Sequence, residues 1–390
     1  MSGNSNFQLP ASNFQIAIDG RYIQDHFSGI GRYTYNLIDA LARSAPDSRF
    51  VILRNPALRN TRYDIAALAR YPNVELRRVD VPTFSLREQF QLPTSNFQLL
   101  HSPYFIKPYF LRVPSIVTIF DLIPLLFPDD VPSARTRFFF RWAVWLAAQT
   151  AARVIVPSAA TRDDLMARLR VPRAKIVVVP LAADARFAPQ SEAAIARARE
   201  KYALPARYGL YVGINKPHKN LATLIEAWQR VASDTALVIA GAWDARYAPT
   251  ADYRPQTAVS GRRSAVKFVH NIDDADLPAL YAGAAVFIMP SLYEGFGLTP
   301  LEAMASGVPV ICSHASSLPE VVGDAALLVN PRNVAEIAQA IACVLDDAAL
   351  RDDLRAKSRA RAAQFSWART ARETLDVYLS ACAAKKSHIT

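Results

Sequence analysis

Residues 291–310 read Ser-Leu-Tyr-Glu-Gly-Phe-Gly-Leu-Thr-Pro-Leu-Glu-Ala-Met-Ala-Ser-Gly-Val-Pro-Val. An apolar run ends at Pro290, Gly295 and Gly297 make a turn, a helical pattern covers about 298–306, and another apolar run follows. In a parallel sheet, that order places Glu294 in the crevice at the carboxyl end of a strand, where ligands bind. The glycines let backbone N–H groups approach an anion, and the helix start adds its positive dipole end. Glu302 lies one turn into the helix, facing the same crevice. Two carboxylates beside an anion-friendly helix start suit the hydroxyls of a sugar, which donate hydrogen bonds, better than a phosphate, which accepts them. A glycine turn with two surface glutamates is the competing reading.

Tyr211-Val-Gly-Ile-Asn-Lys-Pro-His-Lys-Asn-Leu221 is a second candidate. Here Lys216 and Lys219 stand before a helix for which Asn220 reads as the cap. Lysines beside a helix start suit a diphosphate, although a solvated turn would look the same. In Phe27-Ser-Gly-Ile-Gly-Arg-Tyr-Thr34, Gly29 and Gly31 form either an anion cradle or a close packing contact. Thr118-Ile-Phe-Asp-Leu122 closes an apolar run and sets Asp121 near a strand end. His101 is either a polar cleft group or a satisfied strand-end histidine. Asp274 and Asp276 precede a helical pattern and read as acidic helix-start residues. The six histidines show no metal-ligand spacing.

Glu294 and Glu302 enclose seven residues. The run Glu-Gly-Phe-Gly-Leu-x-x-Leu-Glu-Ala-Met-Ala-x-Gly-x-Pro-Val strongly resembles the signature of family 4 retaining glycosyltransferases. The resemblance extends over nearly the whole chain and implies the GT-B architecture: two doubly wound α/β, Rossmann-like domains facing a cleft. It implies that Glu294 contacts donor sugar hydroxyls and Glu302 the nucleotide ribose, with Phe296, Gly297 and Leu298 offering backbone groups. Lys219 matches the lysine that neutralises the leaving diphosphate. Many relatives carry arginine where this chain has Ile214, and others Pro-Arg-Lys-Asn where it has Pro-His-Lys-Asn, so Lys216 and His218 are candidates for a substitute second cation. Gly29 and Gly31 match a loop that reaches the donor phosphates, and residues 267–272, with Val269 and His270, match the segment beneath the base. Glu320 matches a helix start behind the site.

One departure bears on mechanism. Relatives commonly read Thr-Ile-His-Asp-Leu where this chain has Phe120, which neither donates a hydrogen bond nor carries a proton. Same-face attack, with the leaving phosphate taking the acceptor proton, needs no such histidine, and Asp121 remains as a catalytic candidate. The resemblance thus implies a retaining hexosyltransferase that requires no metal cofactor and acts on a saccharide or polyprenyl-linked acceptor. GDP-mannose is the first donor, because 121–128 and 217–221 look like those of bacterial mannosyltransferases building surface polysaccharide. A UDP-hexose donor, or a nucleotide-sugar-binding protein without transfer activity, are the alternatives. A dinucleotide oxidoreductase is disfavoured, since no Gly-x-Gly-x-x-Gly follows the first strand.

The elements that must position these residues alternate along the chain. Strand-like runs fall at 15–18, 50–53, 99–101, 115–119, 154–157 and 176–179, then at 209–212, 237–240, 266–269, 286–289, 310–312 and 326–329. Helical stripes such as Tyr33/Leu37/Leu41 and Leu221/Leu224/Ile225/Trp228 lie between them. Such alternation indicates parallel sheets covered by helices on both faces. The predicted division is 1–185 for the acceptor and 186–366 for the donor, with a helix at 367–384 packing back on the first domain.

The chain has 390 residues and a net charge of +11, of which +8 falls in residues 1–185. That bias can attract nucleic acid, an anionic membrane or a phosphorylated substrate. No nucleic-acid-binding module accompanies it. Arg135, Arg137 and Arg141 interleave with Phe138, Phe139, Phe140, Trp142 and Trp145, which suits an anionic membrane surface; a pattern so nearly all round the helix predicts that at least half of these aromatics are core. Residues 1–10 lack an apolar signal core, and the three cysteines are too scattered for a disulfide framework. A cytoplasmic protein, with peripheral contact to the inner membrane face, is expected.

Overall fold

The computed structural model describes residues 15–92, 97–109, 111–231, 233–247 and 265–386, so the polar residues 1–10 lie outside it. Among the described residues the chain builds two sheets. The first comprises β1 (Gln15–Asp19), β2 (Arg49–Arg54), β3 (Val74–Arg78), β4 (Leu99–Ser102), β5 (Ser115–Thr118), β6 (Arg153–Val156) and β7 (Ile176–Val178), in the order β3-β2-β1-β4-β5-β6-β7. The second comprises β8 (Tyr208–Val212), β9 (Ala236–Ala240), β10 (Val266–Val269), β11 (Val286–Met289), β12 (Val310–Ser313) and β13 (Leu327–Val329), in the order β10-β9-β8-β11-β12-β13. Every pairing is parallel.

Parallel strands need crossovers, and the helices that make them cover both faces. The central strands are accordingly apolar along their length: Ile16, Ile18, Phe50, Ile52, Leu210, Val238, Phe287 and Ile311 are all buried. The stripe Leu221, Leu224, Ile225 and Trp228 is buried against the second sheet. β3 escapes the sequence reading because its Val-Glu-Leu-Arg-Arg has no apolar run. It is an edge strand, where charge blocks further pairing, and Glu75 joins Arg49 at 2.8 Å and Arg77 at 2.7 Å.

In each sheet the strand order reverses, between β1 and β4 and between β8 and β11. Loops leaving neighbouring strands there diverge in direction and open a crevice at the carboxyl edge. The Glu294 and Lys219 segments leave β11 and β8, the two strands flanking one such point.

The Trp367–Lys386 helix packs on the Ser28–Ser44 helix of the first lobe. Thr370 Oγ1 donates to the Pro180 carbonyl at 2.8 Å, and Tyr378 OH meets His101 Nδ1 at 2.7 Å. His101 Nε2 meets Thr118 Oγ1 at 2.9 Å. Its side chain is fully buried, with both nitrogens engaged. This corrects the cleft reading of His101: it is a core residue that pins the last helix to β4, with no nitrogen left for a ligand.

Burial pushes the His101 pKa down to about 3, against 6.5 for a free imidazole. Between those values the unfolded chain binds a proton that the fold does not, so stability falls as pH falls across that window, by about 1.4 kcal/mol per pH unit from this residue. Urea denaturation at a series of pH values should show a shallower acid slope in His101→Gln than in the parent. Identical slopes would remove His101 as the source.

Candidate active site

Because β8 and β11 are neighbours, the loops that leave their carboxyl ends meet. The Leu292 N–H donates to the His218 carbonyl at 2.7 Å, and Lys219 Nζ sits 2.7 and 2.8 Å from the two oxygens of Glu294. Burial raises the pKa of Glu294, but the charges of Lys219 and His218 outweigh it and hold the carboxyl below its usual range. Gly297 has φ +112°, and a side chain there would also press on Leu318 at 2.8 Å. This glycine swings the chain into the Leu298–Ala305 helix, whose first turn has no side-chain cap. The Phe296 carbonyl accepts from Ser317 Oγ at 2.7 Å, which fixes the loop.

Asn220 departs from the cap expected of it. It adopts a left-handed conformation, φ +58°, and its side chain caps no helix N–H. Instead Nδ2 donates to the carbonyls of Pro290 at 3.0 Å and Pro331 at 2.6 Å, tying the lysine loop to the end of β11. Lys216 opens the Pro217–Lys219 turn and is half-buried. Val269 is buried at the end of β10. His270 beyond it is exposed, its Nδ1 3.3 Å from the Gly241 carbonyl and its ring stacked on Phe268.

The opposite lobe reaches into this loop. Gly295 lies so close to the end of β5 that a Cβ there would stand 2.2 Å from the Phe120 carbonyl oxygen and 2.9 Å from Asp121 Cβ. Ser158 Oγ donates to the Gly295 carbonyl at 2.6 Å, and Thr161 Oγ1 to that of Phe120 at 3.0 Å. The Phe120 ring packs edge-on against Tyr33. Asp121 Oδ1 accepts from the Ile123 N–H at 2.9 Å, and burial raises its pKa. Tyr293 OH donates to Asp164 at 2.6 Å. His218 pairs with Asp130, another residue of the first lobe, and Tyr247 OH donates to the Asp130 carbonyl at 2.6 Å. Glu320 does cap a helix, but across the cleft: it accepts from the N–H groups of Ala159 and Ala160, both at 2.8 Å.

Gly29 and Gly31 fall inside the first turn of the Ser28–Ser44 helix rather than in a loop before it. Gly31 permits close packing, since a Cβ there would lie 3.3 Å from the Tyr22 carbonyl, whereas Gly29 faces open space. Between Gly31 and Tyr33 stands Arg32, a residue the sequence reading passed over. Its guanidinium bonds Glu302 through Nη1, Asp274 through Nη2 at 3.0 Å and Tyr63 OH through Nε at 3.4 Å, and it lies over the Phe187 ring. Tyr281 OH donates to the other Glu302 oxygen at 3.1 Å. Burial still raises the pKa of Glu302, against the opposing pull of Arg32. Asp274 also pairs with Arg186, while Asp276 takes Lys201 at 2.6 Å. Asp276 stands at the N-cap position of the Leu277–Ala282 helix, as the helix-start reading has it, and its carbonyl accepts from the Leu280 N–H at 3.0 Å, but neither aspartate side chain caps a helix N–H.

Deleting the guanidinium strands a carboxylate that is almost wholly buried. Arg32→Ala should cost about 3 kcal/mol in urea denaturation, and Arg32→Lys should recover only part, because one ammonium cannot span both carboxylates. An unchanged midpoint in the alanine variant would show that the pair carries no weight.

Comparison with known proteins places this geometry. Residues 27–187 match the family model described as Glycosyltransferase Family 4, and residues 195–361 that described as Glycosyl transferases group 1. The chain is 31% identical over 375 residues to O-antigen chain mannosyltransferase B of Escherichia coli, covering 90% of this chain and 96% of that protein. It is 29% identical to the MMP alpha-(1->4)-mannosyltransferase of Mycolicibacterium hassiacum, over 77% of this chain and 75% of that one. In fold it is similar to sucrose-phosphate synthase of Thermosynechococcus elongatus, with TM-score 0.70 and 23% identity over 95% of this chain and all of that one. Anabaena HepE, crystallised with UDP-glucose, gives TM-score 0.67 and 19% identity over 94% and 99%. Two parallel α/β lobes with these neighbours constitute the GT-B fold, and the chain belongs to the family 4 glycosyltransferases.

Proposed function

We propose that the protein transfers mannose from GDP-mannose to a saccharide or lipid-linked oligosaccharide, with retention of anomeric configuration. The observation that carries this reading is the Lys219–Glu294 pair at the meeting of the β8 and β11 loops, beside an uncapped helix start. The mannosyltransferase relatives support the sugar, and the O-antigen relative supports a polysaccharide acceptor.

In this reading residues 186–366 hold the donor and residues 1–185 the acceptor. Glu294 accepts hydrogen bonds from the sugar hydroxyls and Glu302 from the ribose. Backbone groups of Phe296, Gly297 and Leu298 face the sugar and diphosphate, Gly29 and Gly31 approach from the other lobe, and Val269 and His270 flank the base. Negative charge builds on the departing diphosphate, and Lys219, Lys216, His218 and the helix start stabilise it, which is the largest catalytic contribution. These groups serve where a metal ion otherwise would. Phe120 offers no proton acceptor, so the acceptor hydroxyl passes its proton to the leaving phosphate oxygen on the face it attacks. That geometry retains configuration. An ionised Asp121 favours the positive character that develops at the sugar carbon. A polyprenyl-borne acceptor places the reaction at the inner face of the cytoplasmic membrane.

Calorimetric titration with GDP and UDP, followed by turnover of GDP-mannose, tests the reading. GDP should bind, Glu302→Ala should lose that binding, and Lys219→Ala should lower kcat by about 100-fold to 1000-fold. Addition of EDTA should leave the rate unchanged. Preference for UDP would reassign the donor, and a wild-type rate in Lys219→Ala would end its phosphate role. Binding of neither nucleotide, with no transfer, would sink the proposal.

A further inference from the structure

Seven large hydrophobic side chains are exposed among the described residues, and all belong to two segments of the first lobe. Phe84, Leu86 and Phe90 form one; Phe138, Phe139, Trp142 and Trp145 form the other. Leu86 is 87% exposed, Phe90 81% and Phe139 74%, values far from those of ordinary partly covered apolar groups. The second segment lies on the Ala134–Thr150 helix, which buries only Val144, Ala147 and Ala148. Four of the five aromatics expected to be mainly core therefore face outward, and only Phe140 packs inward, against Phe105.

The two segments rest on one aromatic seam beneath them. Ring contacts run from Phe140 to Phe105 at 4.9 Å, on to Tyr104 at 4.1 Å, and from Tyr104 to Phe84 at 6.0 Å. Arginines are set among them: Arg87 in the first segment, and Arg135, Arg137 and Arg141 in the second. Among the described residues, no carboxylate lies within ion-pair distance of these four guanidinium groups. A groove of about 500 Å³ opens beside them, lined by Leu125, Arg137, Phe138, Arg141 and Arg168 together with Ala134 and Ala167. No acidic residue lines it, although Arg168 also reaches Asp164 at 3.5 Å.

We propose that this surface docks on an anionic lipid bilayer, with the arginine groove receiving lipid phosphates and the flanking aromatics entering the headgroup boundary. Apolar rings gain free energy on leaving water, and hydrated guanidinium groups are attracted to an anionic lipid surface, so such an interface favours both. No helix of the described residues is long and apolar enough to cross a membrane, so the contact is peripheral. Leu125, in the groove, and Asp121, beneath Gly295, lie on one short segment, so a docked lobe brings the lipid surface next to the candidate site. The inference deepens the proposed lipid-borne acceptor, but vesicle binding needs no sugar transfer, and the two can fail separately.

Sedimentation with vesicles of phosphatidylcholine alone, and of phosphatidylcholine mixed with phosphatidylglycerol, tests it. The protein should bind the anionic vesicles only, less so as salt rises. Arg137→Gln with Arg141→Gln should weaken partitioning about thirtyfold, from about 1 kcal/mol per arginine. Phe138→Ser with Phe139→Ser and Trp142→Ser should also lose binding while leaving the thermal midpoint nearly unmoved, since the replaced groups are on the surface. Equal binding to neutral vesicles, no binding, or undiminished binding by both variants would overturn the proposal. Self-association abolished by the aromatic variant, without vesicle binding, would reassign the surface to a second copy of the chain.

Discussion

A carboxylate taken out of water must be given a cation or lose its charge, and two of those this protein buries, Glu294 and Glu302, lie on the one segment that follows β11. The arrangement around them follows from that requirement. Glu294 finds its cation on the adjacent loop of its own lobe, because β8 and β11 are neighbours and Asn220 ties the lysine loop to the end of β11. Glu302 takes its cation from the other lobe, through Arg32. One carboxylate therefore organises the loops that leave β8 and β11, and the other couples the two lobes. The couplings that surround them, from Gly295 to Ser158, His218 to Asp130 and Glu320 to the Ala159–Leu169 helix, turn a pair of separate sheets into two walls of one site.

Much of this was legible in the sequence, for reasons that differ from element to element. Parallel sheets bury strands on both faces, so twelve strands announced themselves as apolar runs; β3 did not, because an edge strand can afford the charges of Glu75 and Arg77. The turn at Gly295 and Gly297 was readable as a turn. That Gly295 is required by the opposite lobe was not, since the Phe120 carbonyl it must clear lies far away in the chain. Arg32 was invisible for the same reason: 270 positions separate it from Glu302, and an arginine near the start of a helix has no local peculiarity. Asp274 and Asp276 precede a helix as their spacing suggests, but their side-chain partners, Arg32, Arg186 and Lys201, are set by tertiary packing and were not legible. His101 carried two readings until the last helix supplied Tyr378. Periodicity reports burial; it does not report which distant side chain satisfies a buried charge.

The departures from the family pattern fall at the cleft rather than in the sheets. Phe120 keeps its backbone carbonyl in the contact with Thr161, its ring packs on Tyr33, and Gly295 of the second lobe lies against that carbonyl, so the position serves packing at the cleft whatever its side chain can do chemically. His218 likewise meets Asp130 from across the cleft, which gives the residue before Lys219 a role in joining the lobes.

The state of Glu302 bears on how a ligand would reach it. An ionised carboxylate offers about four lone-pair directions, and the structure uses one for Arg32 and one for Tyr281. Acceptor capacity is therefore left over. Room is not: Glu302 is 1% exposed, with Arg32 against one oxygen and Tyr281 against the other. A hydroxyl donor gains access only when Arg32 moves aside or the lobe that carries it swings away. Because Arg32 stands in the first turn of the Ser28–Ser44 helix, on which the Trp367–Lys386 helix packs, a swing of the first lobe would carry Arg32 away from Glu302. The cross-cleft bonds of this structure, ion pairs such as Arg32 to Glu302 together with neutral bonds such as Ser158 to the Gly295 carbonyl, are then what a ligand must replace with bonds of its own.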